Sequence, residues 1–216
     1  MKQSKVNPIL HPEKDVSYVK WKVHAGRVLS LIALILLSPL LILISAAIKL
    51  SDWHAPVIFK QQRVGKKGGK FYMYKFRTMR LGAEAELEKY LKQNEIEGAM
   101  FKMKKDPRVT RIGALLRKTS LDELPQLYNV LKGEMSLVGP RPPLPREVAI
   151  YTPYDQQRLL VTPGCTGLWQ VSGRNELSFN QMVELDLHYI EQLSLKLDFK
   201  ILCKTVLVLL FPKGAY

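Results

Sequence analysis

From Val28 to Ile48 the chain carries no charge, a run of 21 residues that is apolar apart from Ser30, Ser38 and Ser45, with Pro39 near its middle. A helix of that length extends about 31 Å at ~1.5 Å per residue, just enough to cross the hydrocarbon core of a bilayer. A cleaved signal peptide fits poorly, because the run is too long and follows a 27-residue polar lead. Basic residues stand on both sides: Lys14, Lys20, Lys22 and Arg27 before it, Lys49, Lys60, Arg63, Lys66, Lys67 and Lys70 after it. Positive charge favours the cytoplasmic side. A straight span would carry one basic flank across, whereas a hairpin entering and leaving by one face accommodates both. Pro39 removes a backbone donor and opposes straight continuation, and Ser38 can satisfy the carbonyl thereby freed. Two readings stay open on these residues: a re-entrant helix broken at Ser38-Pro39, and a transmembrane helix with a tolerated kink. Trp21 and Trp53 bracket the run as interfacial anchors would.

The remaining chain has enough apolar residues for a core, 47% overall, so disorder is excluded as a whole-chain description. A net charge of +14 calls for an anionic partner: nucleic acid, a membrane surface or phosphorylated substrates. Two cysteines, Cys165 and Cys203, make neither a metal cluster nor a disulfide framework, and free thiols are expected. Residues 1–19 read as a polar tail. Residues 57–63 and 70–77 read as strands joined by a glycine- and lysine-rich turn. Residues 82–93 read as a surface helix of mixed charge, 106–118 as a turn and a basic helix, and Ser120 to Leu131 as a helix ending at Gly133. Four prolines make 138–145 a rigid non-helical loop, and a second loop runs from Thr162 to Arg174. Ser178 and Gln181 suit a capping box at the head of another helix. The apolar stretch from Ile201 to Phe211 is too short to span, which leaves core or membrane-interface contact.

The densest chemistry lies in Arg117-Lys118-Thr119-Ser120-Leu121-Asp122-Glu123-Leu124-Pro125. Two adjacent carboxylates at a helix start, five residues after an arginine, could serve as nucleophile or metal ligand, and the same place could receive a phosphate. A purely structural account competes: Ser120 and Glu123 match a capping box, or Asp122 is itself the N-cap. Lys75 and Arg77 on a strand, Arg141 in the proline loop and Arg174 in the last loop suit phosphate or nucleotide recognition. The four histidines are dispersed, and no P-loop, nucleophile elbow or dinucleotide fingerprint occurs.

Several stretches in order resemble the monotopic phosphoglycosyl transferases, also called bacterial sugar transferases. They are Ser38-Pro39; Tyr74-Lys75-Phe76-Arg77-Thr78-Met79; Phe101-Lys102 with Asp106-Pro107-Arg108; Arg117 through Asn129; Lys132 through Pro142; and Pro163 through Asn175. The likeness covers residues 20 to 211. It implies an α+β, mostly helical fold. Residues 20–54 would form a re-entrant membrane helix with both ends cytoplasmic. Residues 55–216 would form a cytoplasmic catalytic domain with a short β-hairpin and amphipathic interfacial helices. The absence of a large N-terminal domain points to the short form of such enzymes, or to the catalytic part of the longer ones.

The resemblance also implies roles. Asp122 would attack the β-phosphate of a uridine diphosphate sugar, releasing uridine monophosphate and leaving a phosphosugar-aspartyl intermediate, which the phosphate of undecaprenyl phosphate then attacks. Glu123, with Asp122 beside it, would ligate Mg²⁺. Arg117 and Lys75 would hold phosphate oxygens. Arg141, fixed by Pro140 and Pro142, would bind the nucleotide together with Arg174. The expected sugar is a hexose, glucose or galactose, with an acetamido sugar left open, and the expected place is the cytoplasmic face of the bacterial inner membrane. Membrane lipid is then a partner, nucleic acid is not, and a homodimer would be unsurprising. Two other readings use the same residues: a membrane-anchored nucleic-acid binder, which leaves Asp122-Glu123 unexplained, and a non-enzymatic scaffold for polysaccharide assembly.

Overall fold

The computed structural model describes residues 16–90, 94, 103, 106–173 and 177–210. Helices α1 (Val16–Leu36) and α2 (Ser38–Ser51) form a pair bent by 63°. The cause of the bend is local. Pro39 has no N–H for the Ile35 carbonyl four residues back, and the Ser38 hydroxyl donates to that carbonyl instead, at 2.8 Å. The sequence assigns Ser38 this task, and the structure bears it out. No single described helix is long and apolar enough to cross a membrane; the bent pair meets the length and composition together. Leu29, Ile35, Leu36, Ile42 and Leu43 stay exposed on it, while Ile44 and Ile48 bury their side chains against Phe76 and Leu116.

Helix α1 begins at Val16, inside the stretch that composition marks as a tail. Tertiary anchors outweigh its polarity: Asp198 accepts from the Tyr18 hydroxyl and pairs with Lys22, each at 2.7 Å.

Strands β1 (Ile58–Val64) and β2 (Lys70–Phe76) pair antiparallel, with Phe59 opposite Lys75 and Arg63 opposite Phe71. Their turn puts Lys67 and Gly68 at positive φ, the conformation its glycine content suits. The mixed-charge helix expected over 82–93 is not formed over its first half. Residues 81–86 are turns, Gly82 sits at φ +80°, and only α3 (Leu87–Tyr90) is helical; 91–93 fall outside the described residues. Helix α4 (Arg111–Lys118) starts at Thr110, whose hydroxyl accepts from the Gly113 N–H at 2.9 Å.

The expected helix from Ser120 to Leu131 is also corrected. Ser120 takes a left-handed backbone, Leu121–Glu123 is one 3₁₀ turn, and α5 runs only from Gln126 to Lys132. The Ser120 side chain caps nothing, and Asp122 lies inside the 3₁₀ turn while Pro125 stands at the N-cap of α5, so neither capping account of the carboxylates holds. Pro125, lacking a donor, separates the turn from α5.

Strand β3 (Ser136–Val138) pairs in parallel with β4 (Gly164–Thr166) after a crossover through α6 (Pro145–Val148) and α7 (Pro153–Gln156). The loop expected over 138–145 is non-helical from 139 to 144, bounded by the last residue of β3 and the first of α6, whereas the loop expected from Thr162 to Arg174 contains β4 and a 3₁₀ turn at Trp169–Val171. Three-residue strands among prolines and glycines show no alternation, and Pro145 begins α6 at the first helical position, where its missing donor costs nothing. Helix α8 (Phe179–Glu191) carries the expected capping box from Ser178 to Gln181. Helix α9 (Leu195–Leu210) begins ahead of the apolar stretch the sequence displays. The main core joins Val138, Val183, Leu187, Tyr189, Ile190 and Ile201, and α9 leaves Leu195, Phe199, Val206 and Leu210 exposed. The fold is α+β and mostly helical.

Candidate active site

Three elements bring the carboxylates, Lys75 and Arg117 together. The first is α2, whose Ile44 and Ile48 form a buried cluster with Phe76 and Leu116; Leu121 and Leu124, on either side of Asp122 and Glu123, pack against that cluster. The second is α4, pressed onto the chain leaving β2. A methyl group added at Gly113 would lie 2.0 Å from the Thr78 carbonyl oxygen, so only glycine allows this approach. It sets Arg117, whose Nε donates to Thr78 Oγ1 at 3.0 Å. The third is α5, which supplies Asn129. That amide is fully buried and substitutes for a neighbouring strand along β2: it accepts from the Tyr74 N–H at 3.0 Å and donates to the Tyr72 carbonyl at 2.7 Å. Its Nδ2 also donates to Glu134 at 2.7 Å. Lys75, next along β2, forms an ion pair with Glu123 at 2.6 Å.

Asp122 is buried, at 7% exposure. Burial raises its pKa to about 6. Glu123 adds to the rise, while Lys75, Arg117 and a backbone hydrogen bond oppose it. This corrects an expectation: a carboxylate at a helix start should be eased toward its ionised form, whereas this one lies in a 3₁₀ turn and is dominated by desolvation. At neutral pH it is still mostly ionised. Burial lowers the Arg117 pKa, against the pull of Asp122 and Asp106, without threatening its charge. Ser120, at φ +55°, is a non-glycine residue in a costly backbone conformation two residues before Asp122.

Arg141 lies on the loop between β3 and α6, which is interlocked with the loop into β4. Gly139 N–H donates to Thr166 O at 2.8 Å, and Gly164 N–H donates to Pro140 O at 2.9 Å. A Cβ on Gly139, Gly164 or Gly167 would come within 2.1–2.7 Å of backbone across the contact. Pro140 and Pro142 are buried in this knot and Arg141 is half-exposed. Arg174 lies outside the described residues.

Sequence reasoning missed Asn129 and Arg63. Asn129 sits inside a motif stretch and Arg63 in the basic flank after the apolar run, but nothing local distinguishes an asparagine in a helix or an arginine in a strand as buried. It also missed Arg108, whose guanidinium is 3% exposed and bound to Asp106 at 2.6 Å. No group of three or more His, Cys, Asp or Glu side chains that could hold a metal occurs among the described residues. Asp122 and Glu123 provide two carboxylates, which suits Mg²⁺, an ion commonly held by one or two carboxylates and completed by substrate phosphates and water.

With this geometry in place, comparison with known proteins assigns the class. The family model described as bacterial sugar transferase matches residues 17–212, and the chain belongs to that family. It is 51% identical over 161 residues to the galactosyl transferase CpsE of Streptococcus agalactiae, covering 74% of this chain and 36% of that protein. It is 41% identical over 192 residues to the exopolysaccharide production protein ExoY of Sinorhizobium fredii, covering 87% of this chain and 84% of that protein. Identity to the undecaprenyl-phosphate galactose phosphotransferase of Salmonella typhimurium is 45% over 193 residues, 88% of this chain and 40% of that protein. The chain therefore spans about two fifths of the length of the first and third relatives and most of the second.

Proposed function

We propose that this protein transfers a sugar 1-phosphate from a UDP-sugar to undecaprenyl phosphate, in the assembly of an extracellular polysaccharide. The observation that carries the reading is the convergence of buried Asp122, Glu123, Lys75 and Arg117, in a family whose relatives bear the names above. An ionised carboxylate held among cations is a nucleophile suited to a phosphate ester.

In the first step an Asp122 oxygen forms a bond to the β-phosphorus. The bond from that phosphorus to the bridging oxygen breaks, and its electron pair leaves with UMP. The phosphosugar remains on Asp122 as an acyl phosphate. In the second step an oxygen of the carrier phosphate attacks the same phosphorus, the Asp122–phosphorus bond breaks, and the aspartate is restored. Lys75 and Arg117 hold phosphate oxygens through both steps, and Arg141 holds the nucleotide. Mg²⁺, when bound, would be held by Glu123, with Asp122 adjacent, and would neutralise diphosphate charge.

The bent pair would enter one leaflet and leave by the same face. Its exposed aliphatic face, the bend at Pro39, and Trp21 and Trp53, both more than half exposed, support that reading. The Asp122 turn, docked on α2, would then meet a lipid phosphate at headgroup level. The names CpsE and the Salmonella phosphotransferase favour galactose as the sugar.

The test is UMP release from a panel of UDP-sugars by detergent-purified protein with undecaprenyl phosphate and Mg²⁺. Release with one sugar by the wild type, absent in Asp122→Asn, is the expected result. A folded wild type that releases UMP from no donor would overturn the reading.

A further inference from the structure

Arg63 is an anomaly that the proposed chemistry does not use. It lies near the end of β1, is 4% exposed, and its Nε has no hydrogen-bond partner among the described residues. Its guanidinium donates to the Pro142 carbonyl at 2.9 Å and to Gln61 Oε1 at 2.7 Å. The next residue repeats the grip: Val64 N–H donates to the Pro143 carbonyl at 2.9 Å. Neither acceptor on Arg63 is a carboxylate. A buried guanidinium bonded only to neutral oxygens is a costly arrangement, because nothing in direct contact replaces the hydration of its charge.

The neighbours add to that cost. Burial above all lowers the Arg63 pKa to about 9; Arg141 adds to this and Arg146 does so less, while Glu147 and Glu123 act the other way. Glu147 is already engaged by the Leu144 N–H at 2.8 Å. Among the described residues Arg141 and Arg146 form no ion pair. Three guanidiniums thus gather around one proline loop, none of them in an ion pair among the described residues, an arrangement that an incoming anion relieves.

We propose that Arg63 is a positioning residue: it grips the Pro142 carbonyl so that the Arg141 loop is held ready for a phosphate group. This rests on the transferase reading and extends it to a strand residue beneath the loop. The phosphate belongs to the nucleotide of the donor or to the lipid carrier, and the two substrates are varied separately to distinguish them.

The experiment uses the full-length protein in detergent, with Arg63→Met (shape without charge), Arg63→Lys (charge without the fork), Arg141→Ala, and the Arg63→Met/Arg141→Ala double variant. Thermal unfolding is measured with and without UDP as the probe, and steady-state KM is measured for each substrate. The expected result is that Arg63→Met unfolds at or above the wild-type temperature, loses most of the UDP-induced rise, and raises one KM about tenfold with a smaller change in kcat. Arg63→Lys recovers part of the loss. The double variant is no worse than Arg141→Ala alone, because Arg63 acts through the loop. A rise in the UDP-sugar KM places the phosphate on the donor, and a rise in the undecaprenyl phosphate KM places it on the carrier. Unchanged KM values and an unchanged UDP response in Arg63→Met or Arg63→Lys overturn the inference, as do additive losses in the double variant. A wild type that neither responds to UDP nor releases UMP overturns the transferase reading itself.

Discussion

Asp122 carries a conflict between stability and chemistry. Its folded-state pKa, about 6, stands above the ordinary 3.8 because of burial. A carboxyl raised in this way holds its proton more tightly folded than unfolded, so its contribution to stability declines as pH rises from about 4 to about 6 and stays low above that. Asp122→Asn removes the penalty at neutral pH. The variant is expected to gain about 3 kcal/mol, from ~1.4 kcal/mol per pKa unit, and to lose UMP release. Denaturant unfolding at pH 7.5 and pH 4 checks this: the gain should be present at the first and largely gone at the second. The activity of the wild type should fall as pH drops through about 6, since the protonated acid is not a nucleophile. A flat profile from pH 5 to 8 would remove Asp122 from that role. The sequence displays Asp122 and Glu123 plainly, as adjacent carboxylates between an arginine and a proline. It does not display their environment, because burial depends on Leu121 and Leu124 packing against a cluster drawn from α2, β2 and α4, segments up to about 75 residues apart.

At the scale of elements, the site depends on joints rather than on long regular segments. Asn129 is one such joint, completing the hydrogen bonding of β2 from the side of a helix. Asn129→Ala leaves the Tyr74 N–H and the Tyr72 carbonyl without that partner, at a cost of about 2–3 kcal/mol. UMP release measured well below the unfolding temperature should drop further than the folded fraction, because Lys75 follows Tyr74 directly. Equal losses in the two measurements would make Asn129 structural only. Joints of this kind are what the sequence conceals. Helix α8 was legible from its capping box and apolar spacing, and the hairpin from its turn. The helix expected from Ser120 was misread because, after a left-handed Ser120, residues 121–123 close into a 3₁₀ turn that no periodicity reveals, and Pro125 separates that turn from α5. Strands β3 and β4 were invisible because each is three residues long and is defined by backbone contact across Gly139 and Gly164.

For the molecule as a whole, the proposed membrane contact has two components, the net charge of +14 and the exposed aliphatic face of the bent pair. Near 1 M salt the screening length shrinks to about 3 Å, which removes most of the first component and leaves the second. Flotation with phosphatidylglycerol vesicles should therefore weaken with salt but persist. Leu36→Asp/Ile42→Asp, which places two charges beside the break, should abolish what persists. Complete release of the wild type by salt alone would mean surface adsorption and would end the re-entrant reading. The apolar run and its basic flanks were legible from composition and charge, since both are properties of consecutive residues. The way α2 turns back to share an apolar cluster with the residues around Asp122 was not.

The break at Pro39 fixes a length. Helix α2 has 14 residues, about 21 Å at ~1.5 Å per residue, while one leaflet contributes about 15 Å of hydrocarbon. In the proposed arrangement α2 acts as a ruler, with its zero at the serine–proline pair and its far end past the base of the acyl layer. Adding or removing a residue along it would change the depth of Asp122 by about 1.5 Å and rotate the docking face by about 100°. The spacing between the break and Lys49 is thus a calibrated quantity, and the chain has little freedom to change it one residue at a time.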